Sequence, residues 1–169
     1  MNSSALMSMV ARNGALLIVP PLVITASLWS RLPATFGNDA FDQGVPAWLL
    51  SSENVLRVAV LLLPALLLTG ASERLQRLGW VLYGVGLIVY LGSYLALIAF
   101  PASAWSNSAL GFTAPAWTTG LWLLGVGLVC ADTWLSLSWN RLIYLIPATA
   151  FVLAHSAHAR LAYALAASR

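Results

Sequence analysis

Lysine is absent from this 169-residue chain, and charge of any kind is scarce: eight arginines stand against five acids, for a formal net charge of +3. Only 8% of residues are charged, where a soluble domain carries about 25%. So few charges cannot cover a water-facing surface, so the expected solvent is lipid. Eight scattered arginines make no basic stripe, which excludes nucleic acid as a partner. The one cysteine, Cys130, can form no internal disulfide. It stands in an apolar run, where it reads as a small core residue.

Catalytic motifs are missing as well. The chain has no P-loop, no dinucleotide glycine fingerprint, no His-Glu-x-x-His and no Gly-x-Ser-x-Gly. A Cys/His zinc pattern and a Cys-x-x-Cys-His haem motif are also lacking. His155 and His158 are the only histidines and share one segment, so bis-histidine haem between two helices cannot form within one chain. The chain reads as non-enzymatic, and no cofactor is predicted.

What is present is apolar sequence. Hydrophobic residues make up 60% of the chain, and the mean hydropathy is +0.85. A membrane crossing needs roughly 20 apolar residues. The sequence offers five such stretches, at residues 14–29, 54–70, 79–100, 114–135 and 142–162. They consume nearly the whole chain, so the expectation is one all-α integral membrane bundle spanning residues 1–169. Polar breaks separate the spans: Glu73, Arg74 and Arg77 in one, a Ser-, Asn- and Gly-rich stretch at 101–113 in another, and a tight turn at 138–141. The first stretch reads as a span rather than a signal peptide, because Pro20 and Pro21 interrupt its core and no small-x-small cleavage site follows. The longest connection, 31–53, holds turn formers at Gly37, Asn38, Asp39 and Gly44, and ends in an apolar piece at 46–50. That piece is expected to lie in the headgroup layer, with Trp48 as its anchor.

Arg12, Arg74, Arg77 and Arg141 fall on one side of a five-span bundle, and Arg31, Arg57, Arg160 and Arg169 on the other. Arg57 and Arg160 sit within apolar stretches and are discounted. The remainder favours a cytoplasmic N-terminus and an external C-terminus in a bacterial-type inner membrane. Trp80, Trp134, Trp139 and Tyr144 then mark the inner boundary, and Trp29, Trp48, Trp105 and Trp117 the outer one.

Prolines 20, 21, 64 and 147 lie within spans. Each lacks an N–H and crowds the carbonyl four residues back, which leaves carbonyls near Leu16, Leu17, Val60 and Ile143 in need of a partner. Gly92-x-x-x-Ala96, Gly127-x-x-x-Ala131 and Ala150-x-x-x-Ala154 are candidate helix contacts.

Polar groups are costly in lipid, so they mark where chemistry can lie. With a rise of about 1.5 Å per helical residue, Thr25, Ser27, Glu53, Arg57, Tyr90, Ser93, Tyr94, Thr118, Thr119, His155 and His158 fall at one depth, the outer third. Glu53 and Arg57 have the spacing and order of a helical ion pair. His155 and His158 continue a stripe through Tyr144, Ala148 and Phe151, and Tyr83, Tyr90 and Tyr94 form a second stripe. The two stripes are expected to face each other, with phenol and imidazole in hydrogen-bond reach. The plain reading of these groups is a salt bridge and a satisfied polar seam. The functional reading is a ligand site formed by Glu53, Arg57, Tyr90, Tyr94, His155 and His158. His155 and His158 are also weak metal candidates if Glu53, Asp39 or Asp42 supply carboxylates. Asp132 is read as reaching the headgroup layer, or else as a proton-relay group.

Three functions follow as expectations. The first is a membrane protein that binds a small amphipathic ligand or lipid in the outer-third pocket, Arg57 meeting an anionic group. The second is a membrane-embedded enzyme or redox subunit using the histidines with a metal or quinone. The third is an accessory subunit packed against a protein partner or a second copy of itself.

Overall fold

In a computed structural model, which describes residues 3–135 and 141–168, the chain is an all-α bundle. Trp139, most of the 138–141 turn, Arg169 and the side chains of Asp39 and Ala131 lie outside the described residues. The helices are α1 (Ser3–Ala11), α2 (Val19–Leu28), α3 (Asn38–Phe41), α4 (Ala47–Leu62), α5 (Arg74–Ala99), α6 (Ala109–Phe112), α7 (Ala114–Val129) and α8 (Leu142–Ala167). Two short strands, β1 (Leu67–Thr69) and β2 (Cys130–Thr133), pair antiparallel at one end.

Four helical segments are long and apolar enough to cross a membrane: Gly14–Arg31, Ala47–Leu66, Arg74–Ala99 and Leu142–Ala167. The fifth expected span is the shorter apolar helix Ala114–Val129. The exterior is strongly apolar, with Ile88, Val55, Leu153, Leu62 and Ile146 all largely exposed. The core is mainly apolar, built on Val60, Leu67, Leu123, Val126 and Val129, yet it also buries Glu53, Gln76, Ser93, Thr118, Thr119 and His158.

Several boundaries differ from expectation. The second span starts at Ala47 rather than 54, because Pro46 closes the loop in an extended conformation and the next residue begins the helix. The 46–50 piece is therefore the first turn of α4, with Trp48 exposed on it, and not a separate interfacial segment. Pro64 ends the regular helix near its far end, where a 3-10 turn, Leu63–Leu66, leads into β1. Pro20 and Pro21 do not interrupt a helix; they start α2, in first-turn positions where an N–H would be unpaired anyway. The fourth span stops at Val129 and turns extended to pair with Leu67–Thr69. Asp132 therefore lies on a strand, exposed, accepting from the Thr133 N–H at 2.8 Å.

The small-residue patterns fare unequally: Gly127 does stand at a helix contact, where an added Cβ would meet Leu145 and Tyr144 of α8. Gly127 and Ala131 do not share a helix, since α7 ends between them. A Cβ added at Gly92 would meet nothing within 4 Å. The close approach lies between α5 and α7, where a Cβ on Gly86 would stand 2.8 Å from the Trp122 Cα and one on Gly125 2.7 Å from the Tyr83 Cα. These are backbone-to-backbone contacts that any side chain would push apart.

Two phenols reach backbone carbonyls of neighbouring segments. The Tyr83 hydroxyl donates to the Leu17 carbonyl at 2.7 Å, and the Tyr144 hydroxyl to the Val60 carbonyl at 3.3 Å. These are the carbonyls four residues before Pro21 and Pro64. The connection between α2 and α4 folds inward. Phe36 and Phe41 are buried against Phe112, with Phe36 and Phe112 ring centres 4.4 Å apart. Gly44, at φ 82°, supplies the left-handed turn that brings the chain back toward α4.

Candidate functional site

Glu53 is the centre of the site. It lies one turn and a half into α4 and is 1% exposed. A buried carboxylate is costly unless paired and hydrogen-bonded, and three side chains meet that demand. Arg57, one turn on, forms an ion pair with Oε1. His155 Nδ1 lies 3.0 Å from Oε1. His158 Nδ1 lies 2.7 Å from Oε2. The i,i+3 spacing of the histidines on α8 lets both rings reach one carboxylate on the facing helix.

His158 extends the network. Its Nε2 lies 3.3 Å from Asp42 Oδ1 and 3.4 Å from the Phe41 carbonyl. The inward fold of the connection before α4 places both acceptors there. Phe151 stacks on His155, ring centres 5.3 Å apart and planes 10° from parallel.

A second polar chain faces this one. The Thr25 hydroxyl donates to the Pro21 carbonyl at 3.0 Å. That leaves its oxygen to accept from Tyr90 at 2.8 Å, and Tyr90 in turn to accept from Tyr94 at 3.2 Å. Thr119 on α7 donates to the Pro115 carbonyl at 2.9 Å. Between the two chains lies a cavity of about 370 Å³. All six residues read from sequence as a ligand site, Glu53, Arg57, Tyr90, Tyr94, His155 and His158, line it. Thr25 and Thr119 line it too, while Ser93 and Thr118 turn their hydroxyls to backbone carbonyls of their own helices.

Two expectations about partners change. The histidines bond Glu53 rather than the tyrosines, because α8 packs on α4 and α7 while α5 packs chiefly on α7. Arg57 is engaged by Glu53 and by the Asn54 side chain at 3.2 Å, so its nearest anion belongs to the chain itself. Among the described residues, no group of three His, Cys, Asp or Glu side chains stands where it could hold a metal ion.

Sequence reasoning missed Trp122 and Phe41 as lining residues. Trp122 stands one helical step from Thr119 on the same face of α7, and that spacing is the signal that could have found it. The chain matches no family model, no curated protein and no solved structure.

Proposed function

We propose that this chain is a multi-pass membrane protein that binds a small amphipathic ligand or lipid in the cavity around Glu53 and Arg57. Its membrane is of the bacterial inner-membrane type. The four long apolar helices and Ala114–Val129 make five crossings, with the N-terminus cytoplasmic and the C-terminus external. The apolar exterior supports the membrane reading: Val55, Ile88 and Leu153 would be an aggregation surface in water and are ordinary contacts in lipid.

The observation that carries the ligand reading is convergence. Polar side chains from α2, α4, α5, α7 and α8 line one cavity in a bundle whose outside is apolar. Buried, mostly apolar clefts with a few convergent polar groups are the usual form of a small-molecule site. Tyr90, Tyr94 and the histidine pair supply hydrogen bonds, and Trp122 and Phe151 supply ring surface.

Native mass spectrometry of the protein released from mild detergent tests the reading, with metal analysis of the same sample. The expected result is a discrete bound mass that is lost when His155 and His158 are both replaced by alanine. A bare chain, or one carrying only mixed bulk lipid, would overturn it and favour a polar seam in a protein that serves a larger complex. A stoichiometric metal would point instead to metal chemistry at the histidines. Reporter fusions at the two termini test the orientation, which predicts opposite sides.

A further inference from the structure

We infer that the ligand is an uncharged amphiphile with a flat, oxygen-bearing ring as its head, the quinone and quinol class, entering sideways between α2 and α4. This rests on the cavity being a ligand site.

Charge is the first argument. Glu53 already holds Arg57, His155 and His158, and Asp42 faces His158. An anionic head would find no uncommitted cation in the wall, and a cationic head would find the buried carboxylate occupied by three donors. An uncharged head avoids both costs.

The second argument is an unpaired donor. Trp122 is 4% exposed and lines the cavity. Its indole N–H is buried with no hydrogen-bond partner among the described residues. Leaving such a donor unpaired is costly. A ligand oxygen removes that cost. Across the cavity, the Thr25–Tyr90–Tyr94 chain runs one way, each hydroxyl donating toward Pro21. Tyr94 is the end of that chain and keeps lone pairs to accept a hydroxyl proton from a reduced head. A ring bearing oxygens at opposite edges suits both groups.

Shape is the third argument. Tyr90, Tyr94, Trp122, Phe151 and Phe41 give the walls flat ring faces. At about 370 Å³ the space lies near the low end of the roughly 300–1,000 Å³ usual for small-molecule sites. It suits one substituted ring, with a chain left outside. The exit is marked by the exposed members of the wall: Leu22 and Trp29 beside α2, and Arg57 on α4. Among the described residues α2 packs on α5 and α4 on α8, with no extended packing between α2 and α4. A tail can therefore leave toward lipid without unpacking a helix pair.

Isothermal titration of the full chain in mild detergent tests this, with a benzoquinone carrying a single isoprenoid unit as the probe. Saturable binding at one site per chain is expected. Trp122→Phe should weaken it about tenfold, the worth of one hydrogen bond to a buried site, and Tyr94→Phe should weaken the corresponding quinol several-fold. Trp134→Phe is the control, since that indole bonds the Ala65 carbonyl and does not line the cavity; it should leave binding unchanged. No saturable quinone binding, or equal binding by wild type and by both Trp122→Phe and Tyr94→Phe, overturns the inference. If a single-chain lysophosphatidylglycerol saturates the site while the quinone does not, the head is anionic: the inference falls and the ligand cavity stands. If neither probe binds and the purified protein carries no discrete mass, both fall.

Discussion

The bundle holds two helix pairs together by opposite means. Between α5 and α7, Gly86 and Gly125 remove side chains so that backbones meet, and no space remains. Between α4 and α8, the contact is a hydrogen-bonded carboxylate flanked by two imidazoles and a guanidinium, and a cavity opens beside it. In the proposed lipid setting, apolar surface would not drive helices together, so either dense packing or polar bonding must. The first leaves no space between its helices. The second leaves a cavity beside its polar bonds, and the candidate site lies there.

Substitutions sharpen that contrast. The largest effect is expected at Glu53: Glu53→Ala strips Arg57, His155 and His158 of their shared acceptor and should cost about 3–5 kcal/mol of unfolding free energy, read by denaturant titration in mixed micelles. Next comes the packed pair. Gly86→Leu forces α5 from α7 and should cost about 1–3 kcal/mol in the same titration. A smaller loss, about 1 kcal/mol, is expected for Tyr144→Phe, which leaves the Val60 carbonyl without its phenol; a lowered thermal midpoint would report it. Gly92→Ala meets nothing and should stabilise α5 by up to about 1 kcal/mol, a gain opposite in sign to the Gly86 loss. Equal costs at Gly86 and Gly92 would contradict the assignment of the α5–α7 contact.

Much of the site was legible from depth alone. Glu53, Arg57, Tyr90, Tyr94, His155 and His158 were placed together because helical rise sets height, and height needs no knowledge of packing. Rotation was not legible. Which face of α8 meets which helix depends on every neighbour at once, so the stripe spacing points the histidines at the tyrosines while their partner is Glu53. The same limit explains the small-residue patterns: Gly92 and Gly86 look alike in sequence, and only the fold tells the exposed one from the buried one. Pro64 removes the N–H that the Val60 carbonyl would otherwise accept from, a local consequence legible in the sequence; Pro21 stands in the first turn of α2, so the Leu17 carbonyl loses no helical partner to it. The extended tail of the fourth span is not legible in the sequence, because only the pairing of Cys130–Thr133 with Leu67–Thr69 makes a strand there.

The most direct test of the account exploits the scarcity of its key residue types. The chain has two histidines and only Glu53 and Glu73 as glutamates, so magic-angle-spinning NMR of protein in lipid bilayers, with ¹⁵N histidine and ¹³C glutamate, gives few and assignable couplings. The Nδ1 of both imidazoles is expected to couple to one side-chain carboxyl carbon, at about 3.5–4 Å given ordinary hydrogen-bond geometry, and both couplings should vanish in Glu53→Ala. Histidine nitrogens with no glutamate carbon in range, in a protein that is folded in the bilayer, would contradict it.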